Sequence, residues 1–275
     1  MAAGTDDHLA NIVAHYQEVD EDSRLQTGVF QLEYARTQEL ILRYLPPAPA
    51  AVLDVGGGSG VYASWLACLG YEVRLIDPVP KHIDQALAHS TRQPKPIASM
   101  RIGDARHLEE NHSSADAVLL LGPLYHLTER NDRLTCLKEA FRVLRIGGIV
   151  FAAGISRFAS LLDSLSHGFF EDPAFQPIVE RDLREGQHRN VTDNPIYFTT
   201  AYFHQPEELI GELSAAGFRV QELTAIEGPG WLARDFDRLW RDGRQRERLL
   251  AHIRTVENER ALLGASAHIM AIGKK

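Results

Sequence analysis

From Ala51 to Gly154 the chain alternates short, nearly unbroken apolar runs with longer stretches whose apolar residues recur every three or four positions. AVLDV, YEVRLI, ASMRIGD, ADAVLLLG and IVFAAGI have the length and continuity of strands covered on both faces. The stretches between carry helical spacing, with one helix expected from about Lys81 to Thr91 and another from Glu129 to Leu144. In the second of these, Leu134, Leu137, Phe141 and Leu144 fall on one stripe, and Gly147-Gly148 is the expected C-cap. Strand and helix alternating in this way predict a parallel sheet with right-handed crossovers.

The pattern differs on either side. Residues His8 to Leu45 read as two or three helical pieces, HLANIVAHY and FQLEYARTQELILRYL, separated by an acidic and polar link over Gln17 to Gly28. Pro46, Pro47 and Pro49 stop the last piece and lead into the first strand. Such an extension, residues 1–46, is either a lid or oligomer arm or a helix packed on the sheet edge. After the fifth strand the alternation fails over residues 156–204, which are rich in aromatics and histidines. A structureless loop of that length is improbable in a compact domain, so helices capping the sheet are expected there. The pattern then resumes with a helix over Pro206 to Ala216, the strand FRVQELTAIE, a long polar helix from Leu232 to Leu263 and the strand AHIMAIGK. This makes seven strands, the last antiparallel at one edge, in a domain over residues 47–275.

Composition narrows the partners. A hydrophobic fraction of 44% and a charged fraction of 24% are those of an ordinary soluble globular protein. A net charge of −8 argues against a nucleic-acid backbone as the main partner, because phosphate binding needs clustered Lys and Arg. The one basic cluster, Arg241, Arg244, Arg246 and Arg248, is broken up by Asp242 and Glu247 and reads as a solvated helix face. Cys68 and Cys136 lack companions at metal-ligand spacing, so they are expected to be reduced thiols in or near the core and no metal site is expected. MAAGTDDHLA has neither the basic region nor the apolar core of a signal peptide, and no run reaches the length of a membrane span. A cytoplasmic protein without a membrane partner is expected.

The chemistry concentrates between Ala51 and Asp77. Gly56, Gly58 and Gly60 let the backbone turn sharply and approach a ligand without Cβ interference, and the following helix offers unpaired N–H groups. Asp77 closes the second strand at the sheet end where open α/β folds bind ligands, placed to accept hydrogen bonds from a ribose diol. The plainer reading of Asp77 is an N-cap for the next helix. Asp54, buried beside the turn, is expected to accept backbone or water hydrogen bonds, because an unsatisfied buried carboxylate is costly.

LDVGGGSG, LID ending on Asp77, GDA at Gly103-Asp104-Ala105, LLLGPLYHL and RVLRIGG follow one another in the order and spacing of a known family. The chain resembles the class I S-adenosylmethionine-dependent methyltransferases, particularly the small-molecule enzymes of the ubiquinone-biosynthesis type. The likeness is close over about Val52 to Gly154 and holds elsewhere in pattern only. It implies a Rossmann-like seven-stranded, mostly parallel sheet with helices on both faces, and S-adenosyl-L-methionine as cofactor with S-adenosyl-L-homocysteine as product. It further implies that Gly56, Gly58 and Gly60 approach the methionine part, that Asp77 binds the ribose and that Asp104 meets the adenine amino group. Leu121 and Gly122 would offer a backbone carbonyl to the methionine ammonium. Two departures are visible: Asp77 stands where Glu is commoner, and Pro78 replaces a larger apolar side chain beside the adenine. Tyr16 and Arg36, in the N-terminal helices, are candidates for the cofactor carboxylate.

On the acceptor side Tyr125 and His126 follow the fourth strand, and His188, Tyr197, Tyr202 and His204 lie in the cap. Methyl transfer is an in-line displacement in which positioning does most of the work. A general base helps when the acceptor is a hydroxyl, a phenol or an acidic C–H, and His126, or a cap histidine such as His188 or His204, is the candidate for it. Each cap aromatic is equally explained as the cap's own core. The expected partner is a small, partly apolar methyl acceptor, and the N-terminal arm leaves a homo-oligomer open. Two rivals stand beside this reading. One is a cofactor-binding protein without turnover. The other is a nicotinamide-dependent oxidoreductase, whose GxGxxG fingerprint requires glycine where Val61 stands and leaves GDA and GPLYHL unexplained.

Overall fold

The computed structural model describes residues 3–18, 22–192 and 194–275. Met1 and Ala2 of the N-terminal decapeptide and residues 19–21 of the polar link lie outside the described residues. Helix α1 (Ala3–Glu18), a 3-10 turn (Arg24–Gln26) and α2 (Phe30–Tyr44) precede the sheet. The alternating core follows as β1 (Ala51–Val55), α3 (Val61–Leu69), β2 (Glu72–Asp77), α4 (Pro80–Ser90), β3 (Ser99–Ile102) and β4 (Ala115–Leu120). It is completed by the one-turn α5 (Pro123–His126), α6 (Arg130–Val143) and β5 (Leu144–Ser156). The insert contains α7 (Ala159–His167), α8 (Gln176–Glu185), β6 (Gln187–His188) and β7 (Ala201–His204). The chain ends with α9 (Pro206–Ala215), β8 (Arg219–Ala225), α10 (Phe236–Arg241), α11 (Gly243–Val256) and β9 (His268–Lys274).

Strands β3, β2, β1, β4 and β5 are parallel neighbours in that order, and β9 pairs antiparallel with both β5 and β8. The sheet therefore has nine strands rather than the seven expected. The extra pair comes from the insert: Phe203 and His204 of β7 continue the sheet beside Ile155 and Ser156, and β6 pairs with β7. Alternation along the strands sends side chains to two cores. Leu53, Val55, Val118 and Leu120 pack with Leu137 of α6 and Leu209 of α9. Val52, Leu75, Leu119 and Phe151 pack with Leu40 of α2, Leu66 of α3 and Ala86 of α4. Helices thus cover both faces, as the continuous apolar runs require.

Two expected elements differ. Gly147 and Gly148 do not cap α6, which passes straight into β5 with Leu144 already extended. They lie within the first part of the strand instead, where Gly147 N–H donates to the Lys275 carbonyl and a Cβ on Gly148 would stand 3.0 Å from the Asp116 carbonyl. The long polar helix is broken at Asp242, whose side chain accepts from the N–H groups of Arg244 and Gln245 and starts α11 afresh. Arg241, Arg244 and Arg248 are exposed, Cys68 is exposed and Cys136 is buried. No helix among the described residues is long and apolar enough to cross a membrane.

Buried ion pairs tie the helical layers together. Arg36 of α2 is fully buried, donating to the Ile226 carbonyl and to Glu257 and forming an ion pair with Glu39 at 2.8 Å. Arg133 of α6 pairs with Glu212 of α9 at 2.8 Å and donates to the carbonyls of Leu127 and Thr128. Removing one partner from such a pair strands the other charge. Arg36→Ala is expected to lower the unfolding free energy in urea by about 3 kcal/mol, the low end for a broken buried pair because Glu257 keeps Arg43. A loss below about 1 kcal/mol would show that the α2 contact is not structural.

Candidate functional site

The carboxyl ends of β1, β2, β3 and β4 converge on one cavity. Its floor is the turn after β1, where Gly56 and Gly58 both have positive φ, +66° and +58°. At Gly56 a Cβ would fall 2.7 Å from Pro123 Cγ, so the turn can approach α5 only as glycine. At Gly58 a Cβ would meet nothing within 4 Å, because that backbone faces open space. Asp77 holds the turn in place. Its Oδ2 accepts from Gly58 N–H at 2.8 Å, and its Oδ1 accepts from Val79 N–H and His82 Nδ1, each at 2.9 Å. His82 lines the cavity and is 3% exposed, and its Nε2 is buried without a hydrogen-bond partner.

Asp54 lies beneath Gly57, fully buried, with neither carboxylate oxygen in a hydrogen bond. Burial, and then the nearby Asp77 charge, push its pKa up to about 7 against a weaker backbone contribution from Ala63. Asp104 is gripped by Arg106, with 2.6 Å between Asp104 Oδ2 and Arg106 Nη2. Burial of Asp104 is outweighed by that guanidinium, which holds the carboxyl below its ordinary range. Gly103, Ala105, Pro78, Leu121 and Gly122 complete this part of the lining. Tyr16 closes it from α1, with its phenol 2.8 Å from His126 Nε2, and Lys81 Nζ fixes the end of α1 by donating to the carbonyls of Tyr16 and Gln17.

A second cavity abuts the first. Its walls are the insert and the ends of β5 and β9, with Phe175, Phe198, Phe203 and Trp231 giving an apolar surface. Tyr16, Arg24, Glu33, Tyr125 and His268 line both cavities and form the partition between them. Glu33 carries a two-point ion pair with Arg24 at 2.7 and 3.2 Å. Burial of Glu33 is outweighed by Arg24 and then His268, so its pKa lies below the ordinary value.

The structure thus gathers Gly56, Gly58, Asp77, Pro78, Gly103, Asp104, Ala105, Leu121, Gly122, Tyr16, Tyr125 and His126 around the first cavity. His188 and Tyr197 line the second. Both ring nitrogens of His188 are engaged, by Asp182 and by the Tyr197 carbonyl, so it offers the cavity a ring face. Four candidates lie elsewhere. Gly60 is the N-cap of α3 and packs on Leu75 and Ala86. Arg36 is consumed by its ion pairs. Tyr202 covers Arg133, 3.7 Å from ring centre to guanidinium, and His204 is buried against Glu212 at 3.3 Å. Burial outweighs that contact and lowers the His204 pKa. The cavity residues that sequence reasoning passed over are Arg24, Glu33, His82, Glu227 and His268. Their one signal was polarity out of place, such as Glu33 within the helical apolar pattern of FQLEYARTQELILRYL.

Comparison with known proteins bears on this region directly. Residues 53–152 match the family described as "Methyltransferase domain". The Ubiquinone biosynthesis O-methyltransferase of Methylocella silvestris is 33% identical over 106 residues, 38% of this chain and 40% of that protein. The protein of the same name from Xanthomonas axonopodis pv. citri is 26% identical over 194 residues, 70% of this chain and 72% of that one. The chain therefore spans about two fifths of the length of the first relative and nearly three quarters of the second. Among solved structures, a SAM-dependent methyltransferase from Methanosarcina mazei superposes with a TM-score of 0.58 at 20% identity, covering 86% of this chain and 96% of that one.

In the unfolded chain Asp54 titrates near its ordinary value of 3.8, and in the fold at about 7. The fold therefore favours the neutral acid. Its penalty is absent below about pH 4, grows as pH rises to about 7 and is constant above that. Measured as unfolding free energy against pH, the gain of Asp54→Asn over wild type is expected to climb by roughly 4 kcal/mol across that window. A flat difference would mean that Asp54 is ionised at no cost.

Proposed function

We propose that this chain, which carries a class I S-adenosylmethionine-dependent methyltransferase domain with S-adenosylmethionine as its cofactor, methylates a small, partly apolar acceptor by in-line displacement. The observation that carries the proposal is the pair of abutting cavities: one floored by the glycine turn and the strand-end acids, the other walled by aromatics, with one partition in common. A methyl donor and a methyl acceptor need that arrangement, because the reacting atoms must meet at the partition with water excluded. Relatives that carry O-methyltransferase in their names support the same reading.

The residues present fit the cofactor. A carboxylate has about four acceptor positions, and Asp77 already receives three donors, which leaves one on Oδ2 for a ribose hydroxyl. His82 Nε2, buried and unpartnered, would take the second hydroxyl. The open space over Gly58 accommodates the chain between ribose and amino acid, and Pro78 and Ala105 give apolar contact to the base. Asp104 would share its carboxylate between Arg106 and the adenine amino group. S-adenosylmethionine supplies a methyl group on a sulfonium, with a neutral thioether as leaving group. What the protein contributes is orientation, which recovers roughly 7–11 kcal/mol when the reactants are well aligned. Residues 1–46 act as a lid through Tyr16, and the 156–204 insert acts as the acceptor cap.

Isothermal titration with S-adenosylhomocysteine is expected to show saturable binding to the wild type, and Asp77→Ala is expected to weaken it by about 1–3 kcal/mol. No binding at high micromolar concentration would sink the proposal. An unchanged dissociation constant for Asp77→Ala would remove that residue from the ribose.

A further inference from the structure

We propose that His268 and Glu227 form a general-base pair for the transfer, and that the acceptor accordingly presents an ionisable hydroxyl of the phenol class. This rests on the methyltransferase reading above. His268 opens β9, and Glu227, 2% exposed, lies just beyond β8. His268 Nδ1 is 2.7 Å from Glu227 Oε1. A carboxylate only accepts, so Nδ1 carries the hydrogen and Nε2 is left as the basic nitrogen. Glu227 is itself fixed. Its Oε2 accepts from Ser266 Oγ at 2.8 Å and from His268 N–H at 2.9 Å, while Ser266 Oγ accepts from the N–H groups of Glu227 and Gly228. The acid cannot swing away, so the imidazole keeps one tautomer and one plane, the logic by which a buried carboxylate orients a base.

Position singles out this histidine. Among the described residues His268 is the only histidine that lines both cavities, which puts its ring at the partition where donor and acceptor would meet. His126 lines the first cavity with Nε2 bonded to Tyr16, His188 has both nitrogens bonded, and His82 lines the first cavity alone. The groups facing His268 are Glu227 from the end of β8, Glu33 from α2 with its Arg24 partner, Tyr125 from α5 and Tyr16 from α1. Burial presses the imidazole pKa down, but Glu227 and then Glu33 outweigh it and hold it above 6.5. A base poised there takes a proton efficiently near neutral pH.

Glu33, Glu227 and His268 also offer ligand atoms within 4.8 Å of one another. Arg24 already meets the charge of Glu33, and Ser266 and a backbone N–H occupy Glu227 Oε2, which favours proton transfer over cation binding. The step balances as follows. The acceptor hydroxyl gives its proton to Nε2 as its oxygen bonds to the methyl carbon, the C–S bond breaks with its electron pair going to sulfur, and Nε2 later releases the proton to solvent.

The test uses the full chain saturated with S-adenosylhomocysteine and titrated with 4-nitrophenol, whose anion is coloured. Bound 4-nitrophenol is expected to ionise at a pH at least about one unit lower in wild type than in His268→Asn. Glu227→Gln should lose most of that shift and Glu227→Asp should recover part of it, with the S-adenosylhomocysteine dissociation constant within about threefold throughout. An identical ionisation curve in wild type and His268→Asn would overturn the proposal, as would the absence of saturable 4-nitrophenol binding or abolition of the shift by a chelator. Imidazole NMR titration of the wild type and Glu227→Gln guards against a misfolded His268 variant. A His268 midpoint at or below 6.5, or one indifferent to Glu227→Gln, counts equally against the pair. Failure of the wild type to bind S-adenosylhomocysteine would instead remove the methyltransferase reading itself.

Discussion

The hydrogen bond from Gly58 to the Asp77 carboxylate, 2.8 Å long, closes the glycine turn onto the end of β2, and much of the site depends on it. The same carboxylate receives Val79 N–H and His82 Nδ1, so one side chain fixes the turn, the start of α4 and an imidazole together. Its charge also reaches Asp54 beneath the turn. Neither oxygen of that second carboxyl is in a hydrogen bond, and burial beside an existing negative charge raises its pKa against a weaker backbone contribution from Ala63. The N–H groups of Gly58 and Val79 are directed at Asp77 instead.

Asp77 organises the first cavity, and the far end of β5 organises the second. β5 runs to Ser156, past the point where β4 ends, and its last residues pair with β7 on one side and β9 on the other. This extension brings Phe203 of the insert and His268 of the last strand to the same wall. The insert carries its own small core, in which Phe175, Ile178, Val179 and Tyr197 pack together, so it is a folded unit anchored on the sheet. The buried Arg133 network underneath, with Glu212, His204 and Tyr202, fastens that anchoring to α6 and α9. These residues serve the scaffold, because the Arg133 and Glu212 charges meet each other inside it and both lie buried away from the two cavities.

Elements whose physics is local were legible in the sequence. The five core strands, the glycine turn and Asp77 announced themselves through continuous apolar runs and through the conformations that only glycine adopts freely. What escaped was set by partners distant in the chain. Arg36 and Glu257 are 221 residues apart, Arg133 and Glu212 are 79 apart, and no spacing rule links them. His204 and Tyr202 looked like acceptor contacts because an aromatic-rich insert gives no sign of which rings face inward. β6, two residues long, and β7, four residues long, fall below the length at which a period can be read. Gly147-Gly148 misled for the opposite reason. Glycine pairs are good helix ends, but here the close approach of the Asp116 carbonyl decided their place in the strand.

Two of the carboxylate-bound histidines at the cavities make the same point about environment. Asp77–His82 and Glu227–His268 are built alike, each with Nδ1 facing a carboxylate oxygen at 2.9 or 2.7 Å. They differ in what surrounds the other nitrogen. His82 lines the first cavity alone, and its Nε2 is buried without a partner. His268 stands in the partition with Glu33 as a second negative neighbour, and that added charge stabilises the imidazolium. A pair surrounded on one side only by its own acid is suited to hold a hydrogen bond. A pair with a second acid facing it is suited to accept the proton outright, so position within one cleft changes what a carboxylate-bound histidine can do without any change in residue type.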